Sequence, residues 1–225
     1  MITIKKSAAL KRDLRQDEPA GLSVPTWDEL EKAIKEGKRD EALRLYKYAR
    51  GESERNNLGL ASFLEQALSY IAGLKDEELY KMIHGWAEES AKEWIDSKPT
   101  ALDTLRMSTD SQRGHHASLS VKEEADRYVV TYNPCGTGGR MWRQRNLPTS
   151  KKPYPWTWSR TGVPMYCSHC CIKWEIVPTE LRGFPLRINL RGERPEDPCV
   201  HLFYKTPEAI PEEYFTRIGK KKTIK

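Results

Sequence analysis

Three thiols and an imidazole occur within five consecutive residues of the segment Cys167-Ser-His169-Cys170-Cys171. A C-x-x-C pair can present two thiolates to one ion from a tight turn, which is how tetrahedral zinc sites usually begin. Cys167 and Cys170 are therefore predicted metal ligands. Cys171 cannot share their direction, and we expect it to point inward as a small apolar residue.

A third metal ligand is predicted at Cys135, which opens the turn Cys135-Gly-Thr-Gly-Gly-Arg140. The glycines let the backbone turn tightly and expose its amides around the thiol. The same segment could instead be a glycine-rich hairpin turn with a buried cysteine. It is not a phosphate-binding P-loop, because the Gly-Lys-Ser/Thr ending is missing and no helix is expected to follow.

The fourth ligand stays open among side chains and solvent. No second C-x-x-C pair matches the first, so the spacing excludes a zinc ribbon or a RING domain. Zinc is the expected ion, with iron or copper possible, since thiolate and imidazole suit several transition metals. A structural site would be closed by protein ligands, whereas a catalytic site keeps a position for water. The candidates for the fourth position are His115, His116, His169, Cys199, the nearby His201, and water.

Proton transfer next to such an ion would need a histidine or a carboxylate, and three candidates have suitable positions. His169 should project away from the thiols in an extended turn, into the cavity that the loop lines. His115 is preferred to His116 because Arg113 would face the same side of an extended segment. Glu175, in a predicted strand, could orient the attacking water. Each of these residues could equally be structural.

Binding of a substrate would need cations and flat apolar surfaces. Arg140 could hold a carboxylate by two parallel hydrogen bonds, and Arg113 could help to bind an anion. Trp156 and Trp158 could form an aromatic wall for a flat ligand. The alternative is that the tryptophans fill a small core.

Composition narrows the class of protein. The chain has 225 residues, a net charge of +6 and a mean hydropathy of -0.74. No apolar run approaches the roughly 20 residues that cross a bilayer, so we expect no membrane partner. The first residues lack the apolar stretch of about 7 to 15 residues of a secretory signal, which predicts a cytoplasmic location. Nucleic acid is an unlikely partner, because the basic residues concentrate in tails and no nucleic-acid motif occurs.

The elements that must position these residues fall into two classes. Residues 25–99 read as four helices, beginning with a capping box of Thr26 and Glu29, with a second helix that ends at Gly51. Strands are predicted after Pro99, at 119–121, 127–132, 186–190 and 200–204. The fold class is therefore α+β, with an N-terminal helical bundle packed on a small antiparallel sheet that carries the metal site.

The predicted organisation has four regions. Residues 1–24 form a flexible basic N-terminus, 25–99 a helical region, 100–219 a β-rich metal-binding region, and 220–225 a basic tail. The helical and β-rich regions are expected to form one compact unit, which could assemble as a homo-oligomer.

Four segments together resemble a pattern of bacterial proteins that carries no established activity: Pro-Cys135-Gly-Thr-Gly-Gly-Arg140, Tyr-Cys167-Ser-His-Cys170, Gly183-Phe-Pro and Cys199-x-His-Leu-Phe-Tyr-Lys205. Roughly the last 100 residues are also similar to aminothiazoline-carboxylate hydrolase-like and vinyl-reductase-like domains. This resemblance implies a pocketed α+β domain that binds small organic molecules near cysteines.

The leading hypothesis is a cytoplasmic zinc-dependent hydrolase or lyase that acts on a small anionic or aromatic compound. The first alternative is a non-catalytic sensor or binding module with a structural zinc. The second alternative is a nucleic-acid binding protein.

Overall fold

The computed structural model describes residues 2–7, 12–17, 24–145 and 147–224. These residues form an α+β structure, as the sequence predicts, with two small antiparallel sheets where the sequence predicted one. The contacts divide the chain into two compact units, Met1–Asn57 and Leu58–Lys225. The boundary between the units therefore lies well before Pro99, where the sequence changes from helical to β-rich.

The first unit contains a hairpin followed by helices. Strands β1 (Ile4–Ser7) and β2 (Arg12–Arg15) pair antiparallel, where the sequence predicted a flexible segment. Residues 1, 8–11 and 18–23 of that segment lie outside the described residues. Helix α1 (Thr26–Lys35) and the start of α2 (Arg39–Leu74) complete the unit. Its small core consists of Ile2, Leu30, Ala33 and Leu45.

Two predicted helix boundaries are wrong in this part of the chain. Thr26 is the buried first residue of α1 and does not cap it, since Pro25 takes the cap position without a side-chain hydrogen bond. Helix α2 runs through Gly51 without interruption. Gly51 keeps helical geometry, whereas a glycine that ends a helix usually takes the left-handed conformation.

The second unit begins within α2 and continues with α3 (Asp76–Asp96) and α4 (Ala101–Gly114). Helix α4 was not predicted. It opens with a true capping box, in which Thr100 and Asp103 satisfy each other's backbone amides. Leu105 on α4 is buried with Val130 and Phe203 of the sheet, so this helix covers the sheet.

The sheet of the second unit has the order β3-β4-β6-β5, with antiparallel neighbours throughout. The four strands predicted at 119–121, 127–132, 186–190 and 200–204 are confirmed with small shifts in their ends. Cys199 pairs with Tyr132, so the first residue of β6 lies beside the end of β4, where the glycine turn begins. The strands are β3 (Leu119–Glu123), β4 (Arg127–Tyr132), β5 (Ile188–Leu190) and β6 (Cys199–Tyr204).

Residues 165–182 form one continuous helical segment, named here the cysteine helix. The sequence predicted a tight turn at the cysteines and a strand at Trp174–Ile176, and both predictions are wrong. A π-helical turn, Ile172–Ile176, connects the shorter helices α6 (Ser168–Cys171) and α7 (Val177–Arg182). Burial of Cys171, Ile172 and Ile176 in the core with α3 explains the helix, since tertiary packing overrides the β-forming residues.

Two short helices complete the unit, α5 (Gly138–Gln144) and α8 (Glu213–Thr216). Helix α5 begins within the glycine turn, so the expectation that no helix follows this turn is wrong.

None of the helices in the described part of the chain is long and apolar enough to cross a membrane.

Candidate functional site

Four cysteines from three separate segments line one small cavity of about 50 Å³, named here the thiol cavity. Cys135 comes from the turn after β4, Cys167 and Cys170 from the cysteine helix, and Cys199 from the start of β6. This volume accommodates an ion or a few waters but no organic ligand. All five cysteines are free thiols.

The four thiols are close enough to affect one another electrostatically. Burial raises the pKa of the Cys135 thiol. It raises the pKa of Cys167 to about 12 and that of Cys199 well above its usual value. The charge of Cys170 raises the pKa of each of these three thiols further. Yet within the described ranges no three His, Cys, Asp or Glu side chains are gathered tightly enough to hold a metal ion. The predicted ligands therefore meet at one cavity, and metal binding stays a prediction.

The glycine turn can approach the cysteine helix and the end of α4 only because its glycines lack side chains. A Cβ on Gly138 would lie 2.9 Å from the Sγ of Cys167, and one on Gly136 would overlap the carbonyl of His115. The amide of Gly139 donates a 2.9 Å hydrogen bond to the Sγ of Cys135. This bond favours the thiolate form of Cys135, which is the form that binds metals.

His169 lies beside Cys170, contrary to the predicted projection away from the thiols, because both residues are helical. Its Nδ1 bonds to the carbonyl of Tyr166, which can only accept, so Nδ1 carries the hydrogen. In the neutral ring Nε2 is then an acceptor, and it lies 3.5 Å from the Sγ of Cys170. This imidazole nitrogen could bind a metal or move a proton.

Charges offset the cost of burial at Cys170. Burial raises the pKa of this thiol, but His169 and then Arg187 outweigh that effect and lower the pKa to about 7. Burial likewise lowers the pKa of His169, and the charge of Cys170 raises it overall. Arg191 also lowers the pKa of Cys167 but does not outweigh the burial of that thiol. It stacks on Trp142, with 3.8 Å between its Cζ and the ring centroid.

A second, larger cavity of about 560 Å³ adjoins the thiol cavity and is named here the ligand pocket. Its volume is typical of small-molecule sites. Cys170 and His169 line both cavities, so they form part of a shared wall together with Gln112, Thr137 and Tyr166. The remaining lining consists of Leu64, Leu68, Met82, Ile83, Trp86, Ser108, Ser111, His115, Lys173, Trp174 and Arg187.

His115 is the third predicted site residue that lines the ligand pocket, after Cys170 and His169. It follows the last turn of α4 rather than starting an extended segment. Burial lowers its pKa, and its buried Nδ1 has no hydrogen-bond partner. Arg113, expected on the same side, is instead exposed and pairs with Asp110, because both residues are helical.

The other predicted substrate-binding residues are absent from the lining of the ligand pocket. The guanidinium of Arg140 donates a hydrogen bond to the carbonyl of His116. Trp156 is buried and stacks on Tyr154. Trp158 is buried, lines the thiol cavity and donates its indole hydrogen to Glu175. These two tryptophans belong to the core, which was the alternative interpretation.

Glu175 lines neither cavity and is fully buried. Its Oε1 accepts hydrogen bonds from Trp158 and from the backbone and side-chain amides of Asn189. Its Oε2 accepts a 2.6 Å bond from Arg217. A carboxylate so fully bonded cannot orient a water, and the expected catalytic role of Glu175 has no support in this arrangement.

The sequence did not identify Arg187, which the structure places in the lining of the ligand pocket just before β5. The apolar alternation in 186–190 gave no signal for it, because alternation places Arg187 on the face opposite Leu186 and Ile188.

Comparison of the chain with models of protein families, with curated proteins and with solved structures gave no match.

Proposed function

We propose that this protein is a metalloprotein that acts on a small anionic or aromatic compound by hydrolysis or lyase chemistry. One observation carries the proposal, namely that the thiol cavity and the ligand pocket share Cys170 and His169 in one wall. A compound in the ligand pocket would therefore be next to any ion among the thiols.

Cys135, Cys167 and Cys170 would hold the ion, with zinc the expected metal and iron or copper the alternatives. A zinc ion at such a site lowers the pKa of bound water and polarises carbonyl groups. The hydrogen bond to the Tyr166 carbonyl fixes the ring of His169, so its Nε2 is available to bind the ion or to transfer a proton. His115 also lines the ligand pocket and would contact the compound there.

The surroundings of the thiols support a thiolate site. The amide of Gly139 and the nearby charges of Arg187 and Arg191 stabilise negative sulfur, as hydrogen bonds and cations do around metal-bound thiolates. The five free thiols also suit the cytoplasm, where a reducing pool keeps cysteines unpaired.

A second candidate function is a non-catalytic sensor or binding module, and Cys199 favours it. Because a fourth thiol lines the thiol cavity, the site could close with four sulfur ligands, as structural zinc sites do. The ligand pocket would then bind a compound without transforming it.

Metal analysis of three purified proteins tests the proposal. The wild type should contain about one metal ion per chain, and Cys170→Ser should lose most of it. Cys171→Ser is the matched control, since Cys171 is the next residue but lies outside the thiol cavity. Loss of metal from both variants, or absence of stoichiometric metal from the wild type, would overturn the proposal.

Cobalt substitution separates the two candidate functions. Cobalt(II) bound by thiolates absorbs visible light, and its spectrum changes when an added ligand enters the coordination sphere. Addition of azide should change the spectrum if a position is open for catalysis. An unchanged spectrum would indicate a closed site and favour the binding module.

A further inference from the structure

The ligand pocket combines positive charge with an apolar interior. Arg187 and Lys173 line it, and no Asp or Glu side chain occurs in its lining. Leucine, isoleucine, methionine, tryptophan and tyrosine account for half of the other lining residues. Such a composition suits a ligand with an apolar body and a negative group.

Arg187 is the most unusual residue of this lining. It is only 2% exposed, and two of its nitrogens are bonded, Nε to Asn189 and Nη1 to Ser108, at 2.8 and 2.9 Å. Its Nη2 is buried without a hydrogen-bond partner. The Cys170 thiol lies near enough for Arg187 to favour its thiolate form. Because buried polar groups are nearly always bonded, an orphaned donor on a residue that lines a cavity indicates a missing acceptor.

The charge of Arg187 is also poorly balanced by the protein. No carboxylate forms a salt bridge with Arg187 within the described part of the chain. Burial lowers the pKa of Lys173, and the nearby charge of Arg187 lowers it further. The Cys170 thiol would share its negative charge with the proposed metal ion. A ligand anion between the two cations would relieve this repulsion.

The aromatic residues of the pocket indicate the shape of the ligand. The Cζ of Arg187 lies 4.3 Å from the ring centroid of Trp174, which fixes the guanidinium against the wall. Trp86 is 48% exposed and lines the pocket together with the exposed Met82. Indole faces favour flat rings, because offset stacking adds to the gain from burial.

We propose that the ligand pocket binds a small aromatic carboxylate, with the carboxylate on Nη2 of Arg187 and the ring against Trp86 and Trp174. A monoanion fits better than a phosphate ester, since one guanidinium nitrogen is free and the surrounding wall is largely apolar. The unpartnered Nδ1 of His115 provides one further polar contact. This inference deepens the proposed function by naming the class of ligand. It rests on the proposed function only for the statement that the bound compound then reacts.

Calorimetric titration with benzoate and with neutral benzamide tests the inference. Wild-type protein should bind benzoate and should bind benzamide at least tenfold more weakly. Arg187→Met should weaken benzoate binding by about 10- to 100-fold, the usual effect of losing a hydrogen bond to a charged group. It should leave benzamide binding nearly unchanged.

Two further variants keep the test independent of folding. Arg182→Met is the matched control, because Arg182 also stacks on an aromatic ring, Phe184, and has a buried nitrogen without a partner, yet it lies outside the ligand pocket. It should bind benzoate like the wild type. Trp86→Ala changes a half-exposed wall residue and should weaken both probes by up to about tenfold, even if Arg187→Met fails to fold.

The outcomes also separate this inference from the proposed function. Benzoate binding that depends on Arg187 in protein without metal supports the inference and counts against the metalloprotein. Stoichiometric metal with no benzoate binding at millimolar concentration overturns the inference alone. Equal binding of benzoate and benzamide also overturns it. The inference is also overturned if the Arg187→Met protein loses its metal but keeps its affinity for benzoate. Arg187 would then stabilise only the Cys170 thiolate and would not bind the ligand.

Discussion

Two buried charges of the second unit, Glu175 and Arg187, differ in how completely their partners satisfy them. Glu175 is fully buried and accepts hydrogen bonds on both oxygens, including one from Arg217. Arg187 is almost as deeply buried, but one of its guanidinium nitrogens has no partner. Asn189 connects the two, since it donates to Glu175 and accepts from Arg187.

The comparison distinguishes a structural charge from a functional one. Glu175 joins the cysteine helix to β5 and to Arg217, and its bonds leave no capacity for a ligand. Arg187 keeps a free donor where the ligand pocket meets the thiols. Burial alone does not make a charged residue catalytic, whereas incomplete bonding next to a cavity points to a ligand.

The largest effect is expected for Glu175→Gln. This change leaves the charge of Arg217 without its partner, and breaking a buried ion pair typically costs about 3–5 kcal/mol. Urea denaturation should report this loss in the free energy of unfolding. The remaining folded protein should bind benzoate normally.

Glu180→Gln is the matched control for that change. Glu180 also bonds to two basic side chains, His84 and Lys220, but it is 30% exposed. Its loss should cost no more than about 1 kcal/mol. Equal destabilisation by both substitutions would contradict the structural role of Glu175.

Asn189→Ala should affect both buried charges, Glu175 and Arg187. It removes the side-chain donor to Glu175 and the acceptor of Arg187 Nε, and each buried group left unpaired costs about 1–3 kcal/mol. Benzoate affinity should also fall, because Arg187 loses a contact that fixes its position. Calorimetry after a denaturation check measures both effects, and an unchanged affinity would show that Arg187 needs no such support.

A smaller effect is expected for Gly138→Ala, which acts on the thiol cavity. The added methyl group would lie 2.9 Å from the Sγ of Cys167, and such overpacking costs about 1–3 kcal/mol. Metal content should fall more than benzoate affinity. Gly85→Ala is a suitable control, because nothing lies within 4 Å of its added Cβ. Unchanged metal content in Gly138→Ala would argue against close contact of the turn and the cysteine helix.

The smallest effect is expected for Arg113→Ala. Arg113 is exposed and pairs only loosely with Asp110, so stability should change by at most about 0.5 kcal/mol. Benzoate affinity should stay at the wild-type value. A clear loss of affinity would restore the anion-binding role that the sequence suggested for this residue.

Sequence reasoning was most reliable for the sheet. The β-branched runs of β4 and β6 identify those strands, and the α+β class follows. It failed at the cysteine helix, because Trp174 and Ile176 favour strands locally while core packing imposes a helical turn. That error moved His169 and Glu175 to the wrong surroundings, since side-chain directions differ between strands and helices.

The candidate site was predictable only in part for a similar reason. Local spacing singled out Cys167 and Cys170, and the glycine turn singled out Cys135. The presence of Cys199 at the same cavity depends on its pairing with Tyr132, a long-range register that spacing does not reveal. Arg187 depends on its contacts with Ser108 and Trp174, which come from distant segments.

X-ray absorption at the edge of the bound metal tests the central claim most directly, that the thiols beside the ligand pocket hold an ion. The account predicts a first shell of three or four sulfur atoms, at about 2.3 Å if the metal is zinc. Cys170→Ser should lose one of these sulfur atoms or the metal itself, whereas Cys171→Ser should keep the full shell. A first shell of only nitrogen and oxygen in the wild type would contradict the account.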